Sequence, residues 1–189
     1  MAAKDQTADQ AVATRMRGRG SLAQRHRLRK CLQSQNQIRK FRIQNPENLS
    51  LAYWLLKSEP ETYAWDDLCR EKVGTWDGVR NHQAKLNLKA MQKGDQALFY
   101  HSVTQKAVVG IMEIDSASFP DPTAGPDEPW VAVKVRPFQA LQRPITLQEM
   151  KSDPALRGLP LLTHTRLSVV PLSKAHFDTI LAHAQRPAL

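Results

Sequence analysis

Apolar positions along the chain change period several times, and each change marks an element. Ala52-Tyr-Trp-Leu-Leu-Lys57 is a short apolar run closed by Ser58-Glu-Pro60, which predicts a buried strand and a turn. Residues 62–71 read as a short helix with Asp66 and Asp67 in its early turns, where carboxylates favour a helix N-terminus. Gly74 and Gly78 bracket Thr75, Trp76 and Asp77, which predicts an irregular loop. Residues 81–91 place Ala84, Leu88 and Met91 on one helical face, with Gly94 just beyond its end.

The period then shortens. Residues 96–101 and 107–114 read as strands joined by a polar loop. Residues 119–129 carry four prolines and read as a surface loop. Val131, Val133 and Val135 alternate with Ala132, Lys134 and Arg136, the pattern of a half-buried strand over residues 130–136. Thr146 and Glu149 have capping-box spacing and open a helix that stops before Pro154. Residues 167–170 form a last strand. Ser173 caps a final helix with Phe177, Ile180, Leu181 and Ala184 on one face. Sequential strands broken by short helices indicate an α+β fold, a small curved sheet or barrel with helices at its edges.

Charge divides the chain in two. The formal net charge is +9, and residues 1–50 hold 11 Lys/Arg against 3 Asp/Glu. Residues 51–189 hold 16 against 15, so the domain is nearly neutral and is no broadly basic clamp. The first 50 residues contain one aromatic, Phe41, and their composition predicts a disordered basic extension ahead of a domain spanning residues 51–189. A phosphate-binding arm is the functional alternative, carried by Arg15, Arg17, Arg19, Arg25, Arg27, Arg29 and Lys30. An Arg-rich start also raises a transit peptide, against which Asp5 and Asp9 speak. No run approaches the ~18 apolar residues of a membrane span. Cys31 and Cys69 give neither a disulfide framework nor metal-ligand spacing, which fits a reducing compartment. No cofactor is expected.

Four strings carry more specific information: Trp54-Leu-Leu-Lys-Ser-Glu-Pro60, Trp76-Asp-Gly-Val-Arg-Asn81, Phe99-Tyr-His-Ser102 and Arg166-Leu-Ser-Val-Val-Pro171. In this order and at these spacings they closely resemble the EVE domain family, which includes the thymocyte nuclear proteins. The resemblance covers about residues 52–181. It implies a PUA-like fold, a small curved β-barrel with short flanking helices. It also implies a pocket for a modified nucleobase and no catalysis. A nucleic-acid partner, no membrane and a monomer are the accompanying expectations. Modified cytosine in DNA (5-methylcytosine) is the favoured ligand, and a modified base in RNA is the alternative. The implied location is cytoplasmic for a bacterial protein and nuclear for a eukaryotic one. Two departures stand out: His82 replaces a more usual Tyr, and His164-Thr165 precede the last string where Gln-Ser is commoner.

Residue chemistry agrees with a base pocket but leaves each role open. An extruded base needs a flat apolar surface for its face and a few fixed polar groups for its edge. Trp76, on a glycine-bracketed loop, either stacks on the base or plugs the barrel end. In the stacking role, Trp76→Ala abolishes binding and spares the fold. Asn81 presents a donor and an acceptor together, suited to a base edge, and is equally a helix N-cap. Ser58 either meets the ligand or bonds its own turn. Strand alternation puts Tyr100 and Ser102 on one face and His101 on the other. Arg166 either contacts phosphate or makes a surface ion pair. All seven are candidate pocket residues.

An enzyme is the second class considered. A nucleophilic site needs Ser or Cys beside a base and an orienting group. His101 and Ser102 point apart along their strand, no Gly-rich elbow surrounds either Ser58 or Ser102, and no His/Cys/Asp cluster has metal spacing. A protein-interaction module is the third class.

Overall fold

The computed structural model describes residues 51–185. The basic extension expected over residues 1–50 lies outside the described residues. In chain order the elements are β1 (Tyr53–Ser58), α1 (Trp65–Glu71), β2 (Gly74–Trp76), α2 (His82–Ala90), β3 (Gln96–His101) and β4 (Ala107–Ile114). There follow β5 (Phe119–Pro120), β6 (Val131–Thr146), α3 (Leu147–Ser152), a 3-10 turn (Pro154–Leu156), α4 (Pro160–Thr163), β7 (Val169–Leu172) and α5 (Lys174–Ala184). The strands form one mixed sheet in the order β2-β6-β4-β3-β1-β7, with β5 added to β6. The sheet curls into a PUA-like half-barrel with short helices around it.

β1 and β3 pair in parallel, from Tyr53 opposite Gln96 to Ser58 opposite His101, inside an otherwise antiparallel sheet. Parallel neighbours need a crossover. Residues 59–95 supply it, carrying α1, β2 and α2. Trp54, Leu55 and Leu56 are all buried because β1 is covered on both faces, which explains a run rather than an alternation. One face gathers Trp54, Leu56, Trp65, Trp76, Leu88, Phe99 and Val133. The other gathers Leu55, Leu98, Tyr100, Ile145, Phe177 and Ile180, so α5 lies against the opposite side of the sheet from α2. Gly110 lets the Trp65 indole lie flat on β4, since a Cβ there would come within 2.5 Å of the ring.

Four readings need correction. Trp76 is on no loop: β2 pairs with β6, with Thr75 opposite Lys134 and Trp76 opposite Val133. A three-residue strand has too few positions to show a period, and its partner is far along the chain. β6 continues past Arg136 to Thr146, through Pro137 and Pro144. Register shifts between β4 and β6 near Val108/Gly110 and Ile111/Met112 absorb the irregularity that proline brings to a strand. Phe119 and Pro120, assigned to a surface loop, pair with Ala132 and Val131. The last strand is Val169–Leu172, two residues later than its apolar pattern suggests. The caps are as expected: Thr146 and Glu149 form the reciprocal box, and the Ser173 hydroxyl accepts from His176 N–H.

Candidate functional site

A pocket of about 360 Å³ opens beside the ends of β1 and β2. Its walls are Lys57 and Ser58 from β1, Thr62 and Tyr63 from the turn after it, and Thr75 and Trp76 from β2. Asp77, Gly78, Val79 and Arg80 come from the loop leading to α2, and Ser168 lies just ahead of β7. The volume lies in the range of clefts that hold a small ligand. Three of the four sequence strings therefore converge here. The fourth supports them from behind through Phe99, His101 and Ser102.

Trp76 is only 6% exposed. Its indole meets the Phe99 ring edge-on at 5.3 Å and the Tyr63 ring edge-on at 6.4 Å. The Tyr63 hydroxyl donates to Glu71 at 2.7 Å, and burial followed by that carboxylate pushes the hydroxyl well above its ordinary pKa. Ser58 Oγ donates to Tyr63 O at 2.8 Å, while the N–H and hydroxyl of Ser102 donate to Ser58 O at 2.8 and 3.1 Å. These bonds tie the end of β1 to the turn that carries Tyr63.

The loop from Asp77 to Arg80 is held by Asp121, whose side chain is fully buried. Gly78 takes φ +69°, a left-handed conformation that suits glycine, and its N–H donates to Asp121 Oδ2 at 2.9 Å. Arg80 donates to the same oxygen at 2.7 Å and reaches the carbonyl and hydroxyl of Thr123 at 3.0 Å each. The Thr123 N–H and hydroxyl donate to Asp121 Oδ1 at 2.8 and 2.7 Å. Burial alone would raise the Asp121 carboxyl. Hydrogen bonds from the Thr123 and Arg80 side chains and from two backbone amides outweigh it and hold the pKa at about 2. Asp77 differs: burial, then the Asp121 charge, pushes its carboxyl up, against opposing effects of its own amide, Arg80 and Lys134. Lys57 donates to Thr165 O at 3.0 Å, and burial lowers its pKa.

Beside the pocket, half-buried Trp130 collects cationic groups. Arg80 lies 5.8 Å and Lys85 Nζ 5.6 Å from its ring centroid, and the His82 ring sits 5.1 Å away. Arg80 belongs to both groups, so rim and pocket are continuous.

Of the seven candidate pocket residues, the structure brings Ser58 and Trp76 into the pocket wall. Asn81 is the N-cap of α2, its Oδ1 accepting from Ala84 N–H at 3.0 Å. Tyr100 packs on the opposite face of the sheet, where burial pushes its hydroxyl up to about 12. His101 is on the Trp76 side but is buried. Its Nε2 accepts from Trp65 N–H at 3.0 Å and its Nδ1 is bonded to Gln105. Ser102 braces Ser58 from outside the wall, and Arg166 is exposed and lines no part of the pocket. The arginines and Lys30 of residues 15–30 lie outside the described residues. Lys57, Tyr63, Asp77, Arg80 and Ser168 were not singled out from sequence, although all but Tyr63 stand inside the quoted strings. Among the described residues no group of three or more His, Cys, Asp or Glu side chains is arranged to hold a metal ion. No described helix is long and apolar enough to cross a membrane.

The sequence profile of the EVE domain matches residues 52–183, from the first strand into α5. The chain belongs to the EVE domain family. Every residue lining the pocket, from Lys57 to Ser168, falls inside the EVE match. Mouse thymocyte nuclear protein 1 is 37% identical over 169 residues, covering 72% of this chain and 74% of the relative. Among solved structures, an Agrobacterium tumefaciens protein superposes with a TM-score of 0.69 at 38% identity, covering 71% of this chain and 93% of that one. Human THYN1 protein, solved in complex with 5-methylcytosine-containing DNA, gives 0.68 at 32% identity, covering 72% and 99%. Of this EVE domain's two departures, His82 sits on the rim against Trp130, while His164 is exposed beside Thr163.

Proposed function

We propose that this chain binds nucleic acid carrying a modified base and reads that base without chemically altering it. 5-methylcytosine in DNA is the favoured ligand. The observation that supports this reading is the human THYN1 complex with 5-methylcytosine-containing DNA, a relative whose fold matches 72% of this chain. The pocket supports it physically. The Trp76 indole offers an apolar wall, and base–aromatic contacts are worth ~1–3 kcal/mol per base. Polar groups at the ends of β1 and β2 are held in fixed positions, as an edge-reading site requires. The Arg80–Trp130–Lys85 rim suits a phosphate backbone next to the bound base. In this reading the basic residues 15–30 add a sequence-independent attraction, and the pocket supplies selectivity.

One methyl group in an apolar pocket adds about 0.8 kcal/mol, roughly fourfold. Tryptophan fluorescence titrations with matched oligonucleotides therefore test the reading. Tighter binding of the 5-methylcytosine strand than of the plain cytosine strand, by a few-fold, is the expected result. A matched RNA series distinguishes the nucleic acid. Equal binding of modified and plain strands in both series, or turnover of any of them, would overturn it.

A further inference from the structure

We propose that Asp77 is the residue that separates cytosine-type bases from thymine, accepting a hydrogen bond from the amino group on the base edge. The inference rests on the reading that the pocket holds a modified base. 5-methylcytosine and thymine carry the same methyl group at the same ring position. An apolar wall such as Trp76 sees the same shape and the same methyl in both, so it gives no means of telling them apart. They differ at position 4, where cytosine presents an amino donor and thymine a carbonyl acceptor. A pocket that reads only the methyl group would therefore fill with thymine, an ordinary base of DNA.

The discriminating group must be an acceptor with capacity to spare, and the pocket offers one charged candidate. Three charged side chains line it: Lys57, Asp77 and Arg80. Lys57 is committed to Thr165 O, and Arg80 to Asp121 and Thr123. The neighbouring carboxylate, Asp121, is filled by Arg80, Gly78 and Thr123 and lies outside the lining. Asp77 receives its own backbone amide and, among the described residues, no hydrogen bond from another residue's side chain. It follows Trp76, the last residue of β2, directly in the chain, so wall and acceptor lie one peptide unit apart where the strand gives way to the loop. Burial and the Asp121 charge both disfavour its ionised form. A donor brought by the ligand would relieve that cost, whereas a carbonyl oxygen would add a third negative centre. β2 on one side and the Gly78 amide bonded to Asp121 on the other anchor the backbone that carries Asp77.

The test uses the full-length chain and single-stranded oligonucleotides identical except for one central base: 5-methylcytosine, cytosine or thymine. Single strands remove the pairing cost that would otherwise differ between bases. Wild-type protein is expected to prefer 5-methylcytosine over thymine by about tenfold or more, the size of a well-placed edge contact. In Asp77→Asn, whose amide can turn either a donor or an acceptor to the base, that ratio should fall towards one. The 5-methylcytosine-to-cytosine ratio should stay at its wild-type value, because both bases carry the same amino group. Thermal midpoints report folding, and Asp77→Ala replaces the Asn variant if that one does not fold. An unchanged 5-methylcytosine-to-thymine ratio in the variant overturns the role of Asp77 and leaves the modified-base reading standing. Equal binding of 5-methylcytosine and cytosine by the wild-type protein overturns that reading, and the inference with it.

Discussion

Trp76 and Phe99 meet edge-on with ring centroids 5.3 Å apart, which makes the wall of the pocket and the core of the domain the same piece of structure. A truncation at Trp76 therefore does two things at once. Trp76→Ala should cost about 3–5 kcal/mol of stability, as removal of a core aromatic does. Trp76→Phe keeps an apolar ring and should cost much less. Urea unfolding of both variants checks this. A Trp76→Ala protein as stable as wild type would mean that the indole contributes little to the core.

Asp121 should make the domain sensitive to acid. Its carboxyl sits at about 2 in the folded chain against 3.8 without these contacts. A depressed carboxyl contributes stability that is fully present above the unfolded value and is lost as pH falls through the folded one. The difference corresponds to about 2 kcal/mol. Asp121→Asn should therefore be destabilised by about that amount at pH 7, and the gap should close near pH 2. Unfolding curves at the two pH values decide it.

Asp77 should behave in the opposite sense. Its carboxyl is raised in the folded chain, so the stabilising contribution belongs to the protonated form and is lost as pH rises through the folded value. At neutral pH an ionised Asp77 then opposes folding. Asp77→Asn should melt at a higher temperature than wild type at pH 7 and at about the same temperature at pH 3. A lower midpoint at pH 7 would show that the carboxylate is satisfied by the protein itself. A gain in stability on losing a pocket carboxylate is the usual mark of a group kept for binding.

The basic residues before the domain should govern salt dependence. Replacing Arg15, Arg17, Arg19, Arg25, Arg27, Arg29 and Lys30 with glutamine in the full chain removes up to seven phosphate contacts. The slope of log affinity against log salt should flatten, by as much as about six if all of them engage duplex DNA. The ratio between modified and plain oligonucleotides should be unaffected. Unchanged slopes would remove these residues from binding.

Much of the fold is legible in the sequence because its elements obey a period or end in a cap. The Val131–Val135 alternation, the Thr146–Glu149 box and the Ser173 cap each rest on local chemistry. The pocket was harder to read because it is assembled across long separations. Ser58 and Trp76 stood out by residue type, while Tyr63 had no local signal and Asp121 lay inside a proline-rich segment. Tyr100 shows the limit from the other side. Its neighbours in the string support the pocket, but strand alternation turns it to the opposite face of the sheet. Alternation separates Tyr100 from His101, and only the packing of α5 decides which face is which.

The parallel pairing of β1 with β3 also bears on when the domain becomes competent during synthesis. β3 and β4 are joined by a short turn and can pair as soon as both exist. β1 has to wait for the whole of residues 59–95, and its other edge waits for β7. Such distant closures are slow steps. The final wall residue, Ser168, precedes β7, and its carbonyl accepts from Lys57 N–H at 2.9 Å across more than a hundred residues. The pocket is therefore one of the last features of the domain to close. On the proposed reading, selectivity for the base arrives only when nearly the entire domain has left the ribosome.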